Sequence, residues 1–222
     1  MITVHHLENS RSQRVLWLLE ELGIDYDVKR YDRDKKTNLA PAALKKIHAL
    51  GKSPVIEDNG HIFAETGAVM EHILDRFGEG RLRPSPGAPD FEKYRYWMYA
   101  AEGSYMPPLV LTLLLGRMES APMPFFVRPV AKRLVKGVRD GYLDHTMKAH
   151  FDYLENELGA NSWLAGPELT AADIIMSFPA EAFAARGDIK AYPNIAGFVE
   201  RVQARPAYKR ALERGGPYAL MR

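Results

Sequence analysis

The chain of 222 residues contains no cysteine. That absence excludes disulfide bonds, a thiol nucleophile and any dithiol redox pair supplied by the protein, so a thiol–disulfide oxidoreductase working through its own cysteine is ruled out. A reaction at sulfur would have to take its sulfur from a bound molecule. Charge of one sign is also missing. Thirty Lys and Arg against 28 Asp and Glu leave a net charge of +2, too balanced for a nucleic-acid-binding surface. No apolar run approaches bilayer length; Leu113-Leu114-Leu115 with its neighbours is far too short, and no membrane partner is expected. The opening Met1-Ile2-Thr3-Val4-His5-His6 lacks a basic segment followed by an apolar core. No signal peptide is therefore expected, and the expected location is cytoplasmic. His5 and His6 have no partners at ligand spacing, so no metal site is expected.

What is present is a globular composition, 46% hydrophobic, long enough for one large domain or two small ones. Ile2 to Leu7 reads as a strand, Arg11 to Leu22 as a helix stopped by Gly23, and Asp25 to Tyr31 as a second strand. A strand, a helix and a strand with short joints predict a parallel unit with a right-handed crossover. Pro41 to Leu50 reads as a short helix. Val55-Ile56 and Ile62-Phe63 flank Asp58-Asn59-Gly60 and predict a hairpin. A helix opening at Glu65-Thr66 carries Val69, Met70, Ile73, Leu74 and Phe77, with Thr66 as its cap.

Composition shifts at Gly78, where GEGRLRPSPGAPD has the look of a linker. The expected division is a first domain over 1–78, a linker over 79–90 and an all-helical domain over 91–222. In the second domain, Met147, Phe151, Leu154 and Leu158 form one core stripe, and Thr170-Ala171-Ala172-Asp173 has the form of a capping box. Trp17 and Trp97 read as packing residues. Lys132, Arg133, Lys136 and Arg139 read as a solvated helix face.

Two features resemble ligand machinery. Ser53 precedes Pro54 at the mouth of the first hairpin strand, beside a residue that cannot extend a ladder. Thr66 tops a helix whose N-terminus attracts a carboxylate. An open backbone edge next to a carboxylate trap suits a small peptide. Ser10 sits between the first strand and the first helix; Asn9 and Ser12 compete with it as a plain helix cap.

A thioredoxin-like βαβ-α-ββα domain followed by an all-helical domain resembles the cytosolic glutathione transferases. The motifs that carry the resemblance are Ser53-Pro54-Val55, Glu65-Thr66, Trp163-Leu164-Ala165-Gly166 and Leu169-Thr170-Ala171-Ala172-Asp173. The opening Asn9-Ser10-Arg11-Ser12-Gln13-Arg14-Val15 is similar to bacterial and fungal members that use a serine. Tyr26 and Tyr31 come too late in the chain to match the tyrosine-using classes. Ser53 departs from the Val or Ile common before the proline.

The resemblance implies an enzyme with glutathione as co-substrate and no other cofactor. It conjugates glutathione to hydrophobic electrophiles in detoxification, with a peroxidase side activity, and works as a homodimer. Ser10 would stabilise the glutathione thiolate, with Ser12 as its rival. Lys52, Ser53, Pro54, Glu65 and Thr66 would bind the tripeptide, the Ser53–Pro54 bond being cis. Tyr105 and Met106, with Pro107 and Leu109 at a proline break, would receive the electrophile. Glu102 is placed either as a salt-bridged helix acid or facing a ligand across the dimer. The alternative on the same scaffold is a non-catalytic glutathione-binding or stress-related interaction protein.

Overall fold

Ile2–Leu7 forms strand β1, and its side chains divide between two cores. Ile2 and Val4 enter the main core, while Leu7 turns to the opposite face and meets Tyr31 and Leu44. The computed structural model describes residues 1–216 and Tyr218. Helix α1 (Gln13–Leu22) carries the chain back to β2 (Tyr26–Tyr31), which pairs parallel with β1 from Ile2↔Tyr26 to Leu7↔Tyr31. Gly23 ends α1 in the left-handed region at φ 66°, as a helix-stop glycine should. Strands β3 (Val55–Asp58) and β4 (His61–Ala64) complete a sheet of order β2-β1-β3-β4. Asn59 and Gly60, at φ 50° and 78°, form the two-residue turn between them. Helix α2 (Thr66–Phe77) comes next. Its His72 stacks on Phe63 and bonds to the buried Asp58 at 3.0 Å, fixing the hairpin onto the helix. This is the thioredoxin-like arrangement that the sequence predicts.

The segment before the hairpin differs from the expected helix over 41–50. Only Ala42–Lys46 is helical, and it is a 3-10 turn. Leu44 is its one buried side chain, and a single anchor cannot hold an amphipathic α-helix on a sheet. Gly51, at φ 58°, then turns the chain into Ser53–Pro54, whose peptide bond is cis.

The remainder is helical: α3 (Phe91–Ala100), α4 (Met106–Ser120), α5 (Arg128–Val138), α6 (Asp144–Ala160), α7 (Ala171–Ala184), α8 (Pro193–Ala204) and α9 (Pro206–Gly215). The expected break at Pro107 does not occur. A π turn, Ala101–Tyr105, joins α3 to α4 and leaves the prolines in the first turn of α4, where a missing N–H costs least. The capping box is present. Asp173 accepts from the Thr170 N–H at 2.8 Å, the Thr170 hydroxyl at 2.9 Å and the Leu164 N–H at 2.7 Å. Burial pushes this carboxyl up to about 6, against the pull of those donors.

Helix α7 is buried along nearly its whole length and contains Pro179. A proline there cannot donate to the carbonyl four residues earlier, which is that of Ile175. Arg14, from α1, fills the gap by donating from Nη1 to the Ile175 carbonyl at 2.5 Å. One guanidinium thus ties the sheet domain to the helical domain. Trp17 and Trp97 are fully buried packing residues, Trp17 meeting Tyr208 edge-on. Among the described residues, no helix is long and apolar enough to cross a membrane.

Candidate functional site

A cavity of about 280 Å³ opens where the two domains meet. Its walls are the β1–α1 loop, the segment ending in the cis-proline, the start of α2 and the π turn of the helical domain. Lys52, Ser53, Pro54, Glu65 and Thr66, which the sequence assigns to one ligand, all line it. The polar character of these walls fits a charged peptide better than an apolar molecule.

Ser53 turns its hydroxyl inward, donating to the His5 carbonyl at 3.0 Å. That bond fastens the cis-proline loop to β1 and explains how a serine is accommodated at this position. Glu65 stands at φ 74° and ψ 129°, a conformation that costs a non-glycine residue about 1–3 kcal/mol. Strain of this kind concentrates at ligand sites, and here it sets a carboxylate at the cavity wall. The expected cap role of Thr66 is corrected. Glu65 occupies the N-cap position and makes no side-chain cap bond, while Thr66 is the first helical residue. The Thr66 hydroxyl instead accepts from Arg14 Nη2 at 3.3 Å. Because Arg14 can only donate, the Thr66 proton is left to point elsewhere.

The second wall carries Arg11, which sequence patterns do not assign to a ligand, together with Glu102. Both line the cavity, and Glu102 bridges Arg11 and Arg14. Glu102 lies in the π turn, whose extra residue changes the helical phase and aims this acid at the N-terminal domain. Burial pushes the Glu102 carboxyl up, but Arg14 and Arg11 outweigh it and hold it below the usual glutamate range. The salt bridges expected of this acid are present, and its carboxylate also lines the cavity. Arg14 is buried completely, and burial pulls its pKa down while Glu102 opposes. Beyond the Arg11 carbonyl, the partners of Arg14 lie 52, 88 and 161 residues away, so no local pattern could have exposed them.

Ser10 and Ser12 form a buried pair on either side of Arg11 in the chain; Arg11 lines the cavity and the two serines do not. Helix α1 begins at Gln13 with Ser12 as its N-cap, two residues later than the predicted start. Ser12 makes no cap bond with its side chain. Its Oγ lies 2.9 Å from His6 Nδ1 and 2.7 Å from Ser10 Oγ. Ser10 is 6% exposed and Ser12 fully enclosed, so of the two only Ser10 retains an outer surface. Tyr105 and Met106 do not form a cavity wall. Tyr105 is wholly buried against Trp97, His150 and Phe151 and donates its hydroxyl to the His150 carbonyl at 2.9 Å; Met106 is 5% exposed. The continuous helix turns both residues into the core. Val110 and Leu114 on α4 are apolar residues left exposed.

Comparison with known proteins agrees with this geometry. Residues 1–75 match the model for the glutathione S-transferase N-terminal domain, and residues 123–214 match that for the C-terminal domain. The chain is 37% identical to glutathione S-transferase 3 of Schizosaccharomyces pombe, over 96% of this chain and 88% of that protein. It is 33% identical to glutathione S-transferase 1 of Saccharomyces cerevisiae, over 96% of this chain and 95% of that one. A crystal structure of a glutathione S-transferase from Actinobacillus pleuropneumoniae superposes with a TM-score of 0.80 at 33% identity, covering 97% of this chain and 93% of that one. With both domain models matched and relatives above 30% identity along nearly the full length, the chain belongs to the glutathione S-transferase family.

Proposed function

We propose that this protein binds reduced glutathione in the cavity, holds its sulfur as a thiolate with the Ser10 hydroxyl, and transfers the sulfur to a hydrophobic electrophile. The same thiolate can reduce an organic hydroperoxide, which makes peroxidase activity a second expression of one site. The observation that carries this reading is the convergence on one cavity of the cis-proline loop, the strained Glu65 and the start of α2. Ser53 offers backbone groups to the cysteinyl residue in the manner of an added strand. Glu65 takes the γ-glutamyl amine. The Thr66 hydroxyl and the α2 N-terminus take the γ-glutamyl carboxylate, and Lys52 takes the glycyl carboxylate.

The electrophile is assigned to the exposed face of α4. Val110, Leu114 and Arg117 stand at i, i+4 and i+7, on one face of the helix. Burial lowers the Arg33 pKa, Glu8 opposes it and Arg117 adds to the lowering, and Arg33 donates its backbone N–H to Glu8 beside the β1–α1 loop. In this reading that face of α4 is turned toward the segment bearing Ser10. Retention on a glutathione resin together with turnover of a chromogenic aryl halide tests the whole reading. Within it, Glu65→Gln removes the charge that meets the amine and is expected to raise KM for glutathione about tenfold, from loss of ~1.5 kcal/mol, with kcat within a factor of about two. An unchanged KM removes Glu65 from the site.

The assembly is proposed to be a homodimer, in keeping with the exposed aromatic rings of Tyr96, Tyr99 and Tyr153 on α3 and α6. Sedimentation at micromolar concentration is expected to show a dimer; a monomer throughout that range refutes it.

A further inference from the structure

Between α4 and α5 the chain makes a turn with unusual residues at its tip. The Val127 N–H donates to the Pro124 carbonyl at 3.0 Å, which puts Phe125 and Phe126 at the two central positions. Those positions favour glycine, proline, asparagine, aspartate or serine. Here they hold two phenyl rings, 83% and 67% exposed, packed edge-on against each other at 5.6 Å. Helix α5 continues the pattern. Its one buried side chain is Val135, which joins Leu115 and Leu143 in a small separate core. Val130, Leu134 and Val138 stand at i, i+4 and i+8 and are 59%, 64% and 41% exposed. A surface helix normally turns its apolar stripe toward the core. In α5 the longer stripe faces solvent. The charge around it is of one sign. Residues 120–139 contain Arg128, Lys132, Arg133, Lys136 and Arg139 and no acid. Of the chain's 30 Lys and Arg, that leaves 25 elsewhere against all 28 Asp and Glu, so the positive charge is concentrated here. Arg133 follows Val130 by three positions and flanks the stripe, with Lys136 and Lys132 next around the helix. Lys136 pairs with Asp140 and Arg139 with Glu119, while Arg128, Lys132 and Arg133 make no ion pair among the described residues.

We infer that the Phe125–Phe126 turn and the outer face of α5 dock on the surface of an anionic lipid bilayer. The two rings and the stripe enter the boundary between headgroups and acyl chains, and Arg133, Lys132 and Lys136 reach lipid phosphates on their long stems. The lysines favour lipid over a protein partner. Lys is depleted in protein interfaces, whereas helices that lie in a membrane surface carry Lys and Arg beside their apolar face. The reading of Lys132, Arg133, Lys136 and Arg139 as a solvated face accounts for their charge and leaves the stripe beside them unexplained. Docking of this kind needs no bilayer-length run, so the short apolar stretches that argue against spanning do not bear on it. It is also independent of the thiolate chemistry, because none of these residues lines the cavity.

Flotation of the full chain with lipid vesicles tests the inference. Vesicles of phosphatidylcholine with about one-third phosphatidylserine are compared with pure phosphatidylcholine, at about 0.1 M and about 0.5 M salt. The parent is expected to partition onto the anionic vesicles about tenfold better than onto the neutral ones, and to lose most of that advantage at high salt. The double variant Phe125→Ala with Phe126→Ala, and separately Lys132→Ala with Arg133→Ala, should each weaken partitioning about tenfold. All four side chains are exposed, so both variants should keep the parent's urea midpoint and its turnover of an aryl halide. No association of the parent with anionic vesicles overturns the inference, as does equal partitioning onto neutral ones. Partitioning that persists undiminished in either variant places the lipid contact elsewhere and overturns it too. A parent assembly that comes apart in the phenylalanine variant, with no vesicle binding in either protein, assigns the patch to a second copy of the chain and likewise overturns it.

Discussion

Replacing Ser10 by alanine is expected to lower kcat about 10- to 100-fold near pH 6.5 while changing KM for glutathione less than about threefold. The size reflects the kind of bond lost. A hydrogen bond to a charged group contributes ~1.5–3 kcal/mol, which corresponds to one to two pKa units of the bound thiol. Free thiols titrate near ~8.5, so at pH 6.5 only about 1% is ionised without help. This fixes the sign of the pH dependence. A thiol whose bound pKa is depressed gains reactivity below the free value and gains nothing above it. The gap between parent and variant should therefore close as pH rises past ~8.5. The affinity term stays small because the tripeptide is held by Lys52, Ser53, Glu65 and Thr66, which line the cavity independently of Ser10. Steady-state kinetics with an aryl halide across this pH range measure both. Full activity in Ser10→Ala with loss in Ser12→Ala would move the catalytic role to Ser12.

The largest stability effect is expected at Arg14. Its guanidinium is wholly buried and donates to Ile175, Thr66 and Glu102 at once. Arg14→Met keeps most of the volume and removes every donor. Glu102 retains Arg11 and some solvent, which softens the loss. The Ile175 carbonyl has no such refuge, because Pro179 offers it no N–H and its helix is buried. Breaking a buried pair costs ~3–5 kcal/mol, and the surviving Arg11 contact puts this case near ~3 kcal/mol. Urea denaturation should show it as a lower midpoint with an unchanged slope. Arg14→Lys should fall between the two, since one ammonium cannot reach three acceptors spread along a planar fork. A loss under about 1 kcal/mol for Arg14→Met would show that the carbonyl finds another donor. The same substitution frees the Thr66 hydroxyl to rotate, so weaker glutathione binding should accompany the lost stability.

The elements legible in the sequence are those whose signals are local. The opening strand Ile2–Leu7, the Asn59-Gly60 turn, Gly23 after Leu22 and the Thr170–Asp173 box are each fixed within a few residues, and each lies where the sequence predicts. The helix predicted over 41–50 fails because a single buried leucine leaves no stripe to read. Thr66 has the sequence position of a cap, yet its real partner, Arg14, comes from another element 52 residues away. The π turn is invisible for a related reason. It leaves helical composition intact while rotating the residues around it, so Tyr105 and Met106 enter the core and Glu102 turns to the cavity. The choice between Ser10 and Ser12 also needs three dimensions: sequence cannot show that Ser12 is enclosed and bound to His6.

A crystal structure with reduced glutathione bound tests the central claim most directly. The account predicts the sulfur within hydrogen-bonding distance of Ser10 Oγ, with the tripeptide held by the cis-proline loop and the start of α2. A sulfur seated on Arg11 or another donor, away from Ser10 Oγ, would contradict it.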